Sequence, residues 1–213
     1  MQTDDLISMM TADHRKVDTG WLRRVTWLAA LAALGITILL VLATLGTRPD
    51  FAGAWMTLPV IAKALLGASL ALVALAVFQR SLRPGLKPGR WLWLALAPLA
   101  LAGLWALVTL AQAPAESWST LIFGRYWRAC LIAVPLYAIA PFLFLILLAR
   151  RGAPVDARLT GMAAGVASAG LAIMGYSLHC PDDTAPFLAT WYPIALATVT
   201  ALATTVAPRL LRW

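Results

Sequence analysis

Long apolar runs, separated by short polar and basic segments, fill most of this chain. Each run is close to the ~20 residues that an α-helix needs to cross ~30 Å of hydrocarbon. Inside lipid the backbone must satisfy its own hydrogen bonds, so the runs are predicted to form helices. The runs cover residues 25–45, 56–78, 91–110, 129–148, 159–178 and 187–206. The pattern therefore predicts an all-α, polytopic membrane protein with a bundle of six transmembrane helices.

Composition favours lipid, rather than water, as the solvent of these helices. The chain is 62% hydrophobic and only 12% charged, with a mean hydropathy of +0.81. Soluble domains carry about 25% charged residues. We therefore expect two parts, a polar N-terminal segment (residues 1–24) and a transmembrane domain (residues 25–213). No soluble catalytic domain is expected.

The basic residues are unevenly divided between the two sides that six spans would create. The chain has a net charge of +8 and 17 basic residues, 13 of which fall on one side. The other side holds only Arg48, Arg125 and Arg128, and Lys63 lies within the second predicted span. Cytosolic loops carry such an excess of Lys and Arg, so both termini are predicted to be cytosolic. A DNA-binding chain would cluster its charge on one module. We therefore expect the lipid bilayer as a partner and no direct contact with nucleic acid.

Residues 1–24 form the sizeable polar segment outside the predicted spans. Asp4 and Asp5 follow Thr3, where a helix start favours an acceptor side chain and negative charge. Leu6 begins a narrow apolar stripe at helical spacing. Such a short helix is marginal in water, so it needs a partner to be stable. Two interpretations stay open: a docking element, or a solvated leader before the first span.

Lys63 is a cation inside a predicted span. Such a charge costs at least ~2.5–3.5 kcal/mol at the centre of a bilayer. It lies about two turns from the predicted outer end of its helix, so its ammonium could reach the interface along the side chain. The alternative is a buried role, in which the ammonium pairs with a carboxylate or a carbonyl.

Gly161 and Gly165 form a GxxxG pattern in the fifth predicted span. Small residues at this spacing allow two helix backbones to approach closely. The pattern predicts that this helix is either packed in the interior of the bundle or faces a second copy of the chain.

Motifs of enzymes are missing from the sequence. It contains no glycine-rich phosphate loop, GxSxG, HExxH or CxxC. The histidines, His14 and His179, fall on opposite predicted sides of the membrane, so they cannot jointly ligate a haem across ~30 Å. We therefore expect no enzyme activity and no cofactor.

Cys130 and Cys180 are the remaining candidates for chemistry. They open the fourth span and close the fifth at the predicted envelope side, where we expect both to meet water. Arg128 and His179 lie beside them in sequence, and a nearby cation makes a thiol more reactive. Two thiolates with an imidazole also suit a soft metal ion, so a transient metal site is possible here. Three interpretations stay open: a static disulfide, a redox- or metal-responsive pair, and two unrelated buried thiols.

Two other functional classes compete with a sensor. Cysteines facing the envelope would suit a membrane thiol oxidoreductase that passes electrons to a quinone, although a second thiol pair for relay is missing. A carrier for a metal or small molecule is disfavoured, because the spans hold few polar residues.

Several stretches together resemble the family called negative regulator of sigma F. They are TDDLI at residues 3–7, RRGAP at 150–154, HCPDD at 179–183 followed by Phe187 and the Trp191–Tyr192 pair, and RLLRW at 209–213. The resemblance covers the whole chain, including the six spans and both cysteines.

The resemblance implies an inner-membrane anti-sigma factor that holds an extracytoplasmic-function (ECF) sigma factor inactive. It also implies release of the sigma factor on oxidative or heavy-metal stress. Cys130 and Cys180 match the two family cysteines associated with signal perception. From their charge we further expect Asp4 and Asp5, with Leu6, to contact the basic surface of the sigma factor.

Overall fold

The computed structural model describes residues 5, 8, 19–83, 85, 89 and 91–212, and within these residues every regular element is helical. The predicted all-α fold is therefore confirmed. The elements in chain order are α1 (Thr19–Thr44), α2 (Phe51–Ala54), α3 (Leu58–Ser81), α4 (Trp91–Leu94), α5 (Leu96–Gln112), a 3₁₀ turn (Ala115–Ser117), α6 (Trp118–Phe123), α7 (Trp127–Ala149), α8 (Ala157–Tyr176) and α9 (Ala185–Leu210).

Five of the described helices, α1, α3, α7, α8 and α9, are long and apolar enough to cross a membrane. The third predicted run is divided into α4 and α5, and α5 has only 17 residues. Pro98 contributes to the interruption, because it has no N–H to donate to the carbonyl of Leu94, although α7 and α9 continue through internal prolines. The count of six spans and the side of each terminus stay predictions.

Helix α8 lies at the centre of the bundle, since most of its residues are buried. It packs against α3, α9, α7 and α1. Helix α5 is peripheral, since Ala102 and Ala106 are its buried residues. Its larger side chains, such as Leu101 and Leu107, point away from the bundle.

Glycines allow α8 to touch its neighbours backbone to backbone. A Cβ on Gly165 would lie 2.6 Å from the Cβ of Ala203 in α9, and Gly161 meets Ala207 in the same way. On the opposite face, a Cβ on Gly170 would lie 2.5 Å from the carbonyl oxygen of Gly67 in α3. The GxxxG pattern therefore packs inside this chain, against α9.

The loops gather at two ends of the bundle. At the first end, which we call the cysteine end, lie residues 45–57, 113–126 and 177–184. At the second, the arginine end, Arg150 Nε donates to the carbonyl of Leu210 at 2.9 Å, and Ala153 N donates to that of Leu82 at 3.2 Å. Helix α1 begins at the arginine end, where Leu22 packs, and its last turn reaches the cysteine end, where Thr44 bonds Tyr137.

Little of the N-terminal segment is described. Asp5 is helical and exposed, and its carbonyl accepts a hydrogen bond from Ser8 Oγ at 2.9 Å. Asp4 and Leu6 lie outside the described residues. Helix α1 begins at Thr19, six residues before the predicted span, so the helix continues through the basic residues that precede the apolar run.

Candidate functional site

The loop 177–184, between α8 and α9, joins the other two loops of the cysteine end. The N–H of Arg48 donates to the carbonyl of Leu178 at 3.1 Å. On the other side, Thr184 Oγ1 donates to the carbonyl of Leu121 at 2.6 Å, so one loop fixes the positions of both neighbours.

Both cysteines lie in this region and belong to one buried cluster. Cys130 is in the first turn of α7, Cys180 is in the 177–184 loop, and each is 0% exposed. Both thiols are free, so this structure has no disulfide between them. The expectation that they meet water is wrong. Aromatic side chains such as Trp127 and Trp191, stacked at 4.9 Å between ring centroids, pack in the same cluster.

Two tyrosines add polar atoms to the surroundings of the thiols. Tyr176 in α8 and Tyr192 in α9 are both 0% exposed, and each interacts electrostatically with Cys180. Neither hydroxyl makes a hydrogen bond of standard geometry among the described residues. The Cys180 thiol is a weak hydrogen-bonding partner for both hydroxyls, so the three side chains form a small polar region within an apolar core.

Beside the thiols lies an ion cluster made of Arg48, Asp50, Lys63 and Asp183. Lys63 Nζ donates to Asp183 Oδ1 at 2.6 Å and to the carbonyl of Cys180 at 3.0 Å. Arg48 donates to both oxygens of Asp183, at 3.1 and 2.6 Å, and to both oxygens of Asp50, at 2.6 and 2.9 Å. The cluster thus links the end of α1, the second turn of α3 and the loop of Cys180.

The charges in this cluster balance and stabilise one another. Arg48 is 3% exposed and Lys63 is 0% exposed, a burial that is tolerable for cations only when they are paired. Hydrogen bonds to Asp50 and Asp183 raise the pKa of the Arg48 guanidinium. Burial alone would raise the pKa of Asp183, but hydrogen bonds from Arg48 and Lys63 lower it overall. The hydrogen bond from Arg48 likewise lowers the pKa of Asp50.

Of the two roles expected for Lys63, the structure shows the buried one, in which the ammonium pairs with a carboxylate and a carbonyl. Its ammonium does not reach solvent, because a carboxylate and a carbonyl of the 177–184 loop come to meet it inside the bundle. Burial raises the pKa of the Cys180 thiol, and the charge of Lys63 acts against that rise. The cation that acts on this thiol is therefore one that is distant in sequence.

The cations expected to activate the thiols have other contacts. The Arg128 guanidinium is exposed and lies 5.0 Å from the centroid of the Trp127 ring. His179 Nδ1 lies 3.2 Å from the carbonyl oxygen of Gly46, and its ring is 5.9 Å from that of Tyr176. His179 therefore helps to join the 177–184 loop to the end of α1.

The side chain of Asp182 points away from the ion cluster that its neighbour Asp183 joins, and it contacts the backbone just before α7. Its Oδ2 accepts from the backbone N–H groups of Arg125 at 2.9 Å and Tyr126 at 2.7 Å. These donors immediately precede α7, which begins at Trp127, so Asp182 fixes the backbone that leads into the helix of Cys130. Gly124 makes room for it with a φ of +54°, since a Cβ there would lie 2.6 Å from Asp182 Oδ2.

The donor set for a metal at this site is small. Among the described residues no group of three or more His, Cys, Asp and Glu side chains could hold a metal ion. Cys130 and Cys180 could offer two sulfur ligands, which suits only soft ions of low coordination number.

The chain is similar to known proteins over its whole length. The family model described as Negative regulator of sigma F matches residues 10–213. A relative from Azospira oryzae (strain ATCC BAA-33 / DSM 13638 / PS), named Probable anti-sigma-F factor NrsF, is 33% identical over 217 residues, covering 100% of both chains. A second, from Caulobacter vibrioides (strain NA1000 / CB15N), is named Anti-sigma-F factor NrsF and is 34% identical over 219 residues, again covering 100% of both. No solved structure matches the chain.

Proposed function

The chain belongs to the negative regulator of sigma F family, and from this premise we propose that it is an anti-sigma factor of the bacterial inner membrane. It binds an ECF sigma factor at the cytosolic face and holds it inactive. The observation that carries this proposal is full-length similarity to two proteins named as anti-sigma-F factors. The role is regulatory rather than enzymatic.

In this proposal the arginine end faces the cytosol and the cysteine end faces the envelope. Six spans, with α4 and α5 together as the third, place both termini in the cytosol. Support comes from the basic residues Arg80, Arg83, Arg150 and Arg151, which lie near the arginine end. Cytosolic loops carry an excess of such residues.

The proposed receivers of the stress signal are Cys130 and Cys180. An oxidant such as hydrogen peroxide would take two electrons from the two thiols, which lose two protons and form one S–S bond while the peroxide becomes water. Alternatively, a thiophilic metal ion would bind both sulfurs and displace their protons. Two free thiols in one cluster support either route. Because both are buried, we infer that the 113–126 loop must open to admit the reagent.

The proposed contact for the sigma factor is the start of the N-terminal segment, with Asp4, Asp5 and Leu6. Support comes from the charge of the two aspartates and from the exposure of Asp5. Replacing both aspartates with Ala should reduce co-purification of the sigma factor from detergent-solubilised membranes. A matched control, Asp13→Ala with Asp18→Ala, removes the same charge from the same segment. Equal loss in both double variants would mean that only net charge matters, and no loss would place the contact elsewhere.

The experiment that tests the whole function is a pull-down of the chain from solubilised membranes, with and without oxidant or Cd²⁺. The expected result is a sigma factor that is bound in one condition and released in the other. Cys130→Ser and Cys180→Ser should each abolish that difference. Ala133→Ser, one turn further along α7, is the control, because it adds a hydroxyl and leaves both thiols in place. Absence of any sigma factor would refute the anti-sigma role, and full release from both cysteine variants would refute thiol sensing.

A further inference from the structure

The ion cluster lies between the thiols and the one helix that leads to the N-terminal segment. Lys63 Nζ donates a hydrogen bond to the carbonyl oxygen of Cys180 at 3.0 Å. Any change that moves the backbone of Cys180, such as formation of a bond by its sulfur, must therefore lengthen or reorient this hydrogen bond. Asp183, three residues on, would feel the same movement through its own bond to Lys63.

The other half of the cluster belongs to the end of α1. Arg48 follows α1 by four residues and binds Asp183 through two of its nitrogens. Its backbone N–H also donates to the carbonyl of Leu178 at 3.1 Å, and His179 Nδ1 lies 3.2 Å from the carbonyl oxygen of Gly46. These contacts tie the end of α1 to the cysteine loop.

Helix α1 then runs without interruption from the cysteine end to Thr19 at the arginine end. Residues 1–18 precede it directly in sequence. Any tilt or axial shift of α1 at the cysteine end must therefore appear at its other end, where the N-terminal segment begins. The cluster, followed by α1, is a continuous physical connection between the thiols and that segment.

We propose that Arg48, Lys63 and Asp183 are positioning residues that transmit the state of Cys180 to α1, and through α1 to the sigma-binding segment. The inference rests on the proposed function, because it assumes that the thiols receive a signal and that the N-terminal segment binds the sigma factor. The cluster itself binds no ligand in this role. Its function is to make the position of α1 depend on the position of the Cys180 backbone.

The test uses a charge-balanced double variant, Lys63→Met with Asp183→Asn. It removes one cation and one anion, leaves the Arg48–Asp50 pair intact and thus avoids an unpaired buried charge, the usual cause of misfolding at such sites. The control is Asp182→Asn, the same substitution at the neighbouring residue, which keeps an acceptor oxygen for the N–H groups of residues 125 and 126.

The measurement is the ratio of sigma-dependent reporter output with and without oxidant or Cd²⁺, normalised to the amount of the chain in membranes. We expect this ratio to fall to about 1 in the double variant and to stay at the wild-type value in the control. Lys63→Arg, which keeps the cation, should retain most of the induction. Full induction in the double variant would overturn the proposal.

A second measurement does not depend on how the variants fold. Hydrogen exchange of the wild-type chain in detergent, before and after thiol oxidation, should change in the 45–57 loop and in the last turns of α1. Change confined to α7, α8 and the 177–184 loop would overturn the proposal. If instead Cys130→Ser and Cys180→Ser leave reporter induction intact, thiol sensing itself is refuted, which separates failure of the proposed function from failure of this inference.

Discussion

The contact between Gly67 in α3 and Gly170 in α8 allows a quantitative prediction for Gly170→Ala. The new Cβ would lie 2.5 Å from the carbonyl oxygen of Gly67 and 2.8 Å from the backbone nitrogen of Ala71. Both are backbone atoms, so no side-chain rotation can relieve the overlap. To restore van der Waals contact the two helices must separate by about 1 Å.

Overpacking of this kind costs about 1–3 kcal/mol. Replacing a helical glycine with alanine returns about 0.5–1 kcal/mol of backbone entropy, measured for helices in water. The difference between these two ranges is a net loss of at most about 2.5 kcal/mol, with a central value of about 1 kcal/mol. For a chain of this size, each kcal/mol lowers the melting temperature by about 2–4 °C. The expected decrease is thus about 2–4 °C for the central value, and at most about 10 °C.

The assay is thermal denaturation in a single detergent, followed by fluorescence-detected size exclusion. The matched control is Gly35→Ala in α1, because a Cβ at that position meets nothing within 4 Å. The control should melt at or slightly above the wild-type temperature. If Gly170→Ala is as stable as Gly35→Ala, the close packing of α3 and α8 described above is wrong.

Three further predictions concern the cysteine end. Gly124→Ala should lower the stability of the chain by about 1–3 kcal/mol, since the backbone conformation favours glycine and the Cβ would collide with Asp182; unchanged resistance of the 113–126 loop to protease would contradict it. The pKa of Asp183 is lowered in the folded state, so its contribution is present above the unfolded pKa of about 3.9 and is lost as the pH falls further. Asp183→Asn should therefore melt with less dependence on pH below about 4 than wild type. Because Cys180 is fully buried and burial raises its pKa, alkylation of this thiol by N-ethylmaleimide at pH 8 should be markedly slower in the native chain than after denaturation; equal rates would show that the thiol is accessible.

The helices of this fold could be predicted from the sequence because each apolar run has the length of a bilayer span. The run at residues 91–110 shows the limit of that argument. Hydropathy alone predicts one helix there, but Pro98 ends the hydrogen-bonding pattern of the preceding turn, and α4 and α5 result. Proline alone does not predict such a break, because α7 continues through Pro135 and Pro141 and α9 through Pro193.

The thiols could be placed at one end of the bundle, but their burial could not be predicted. Residues 113–127 look like an exposed connection, since they contain Pro114, Glu116 and Arg125. In the structure this segment folds into a 3₁₀ turn and α6, and Trp191 Nε1 donates to the carbonyl of Ile122 at 2.7 Å. Such a contact joins residues that are 69 positions apart, and a single sequence carries no sign of it.

The sequence limits the carboxylates that could pair with Lys63 to a few candidates, but it does not identify which one does. A buried ammonium requires a carboxylate, and on the predicted envelope side the sequence offers Asp50, Glu116, Asp182 and Asp183. Choosing between the two adjacent aspartates depends on the direction in which each side chain leaves the loop. The structure sends Asp182 to the start of α7 and Asp183 to the cation, a difference set by backbone geometry.

The notches at Gly161 and Gly165 have a mechanical consequence. The methyl groups of Ala207 and Ala203 pack against these two glycines. Neither α8 nor α9 can therefore slide along the other without a steric clash between a methyl group and the backbone. These two helices therefore behave as a stiff frame. Among the described glycines of α8, Gly175 makes such a contact with α1, through the Thr37 methyl group, so a lengthwise shift of α1 meets one such obstacle where a shift of α9 meets two.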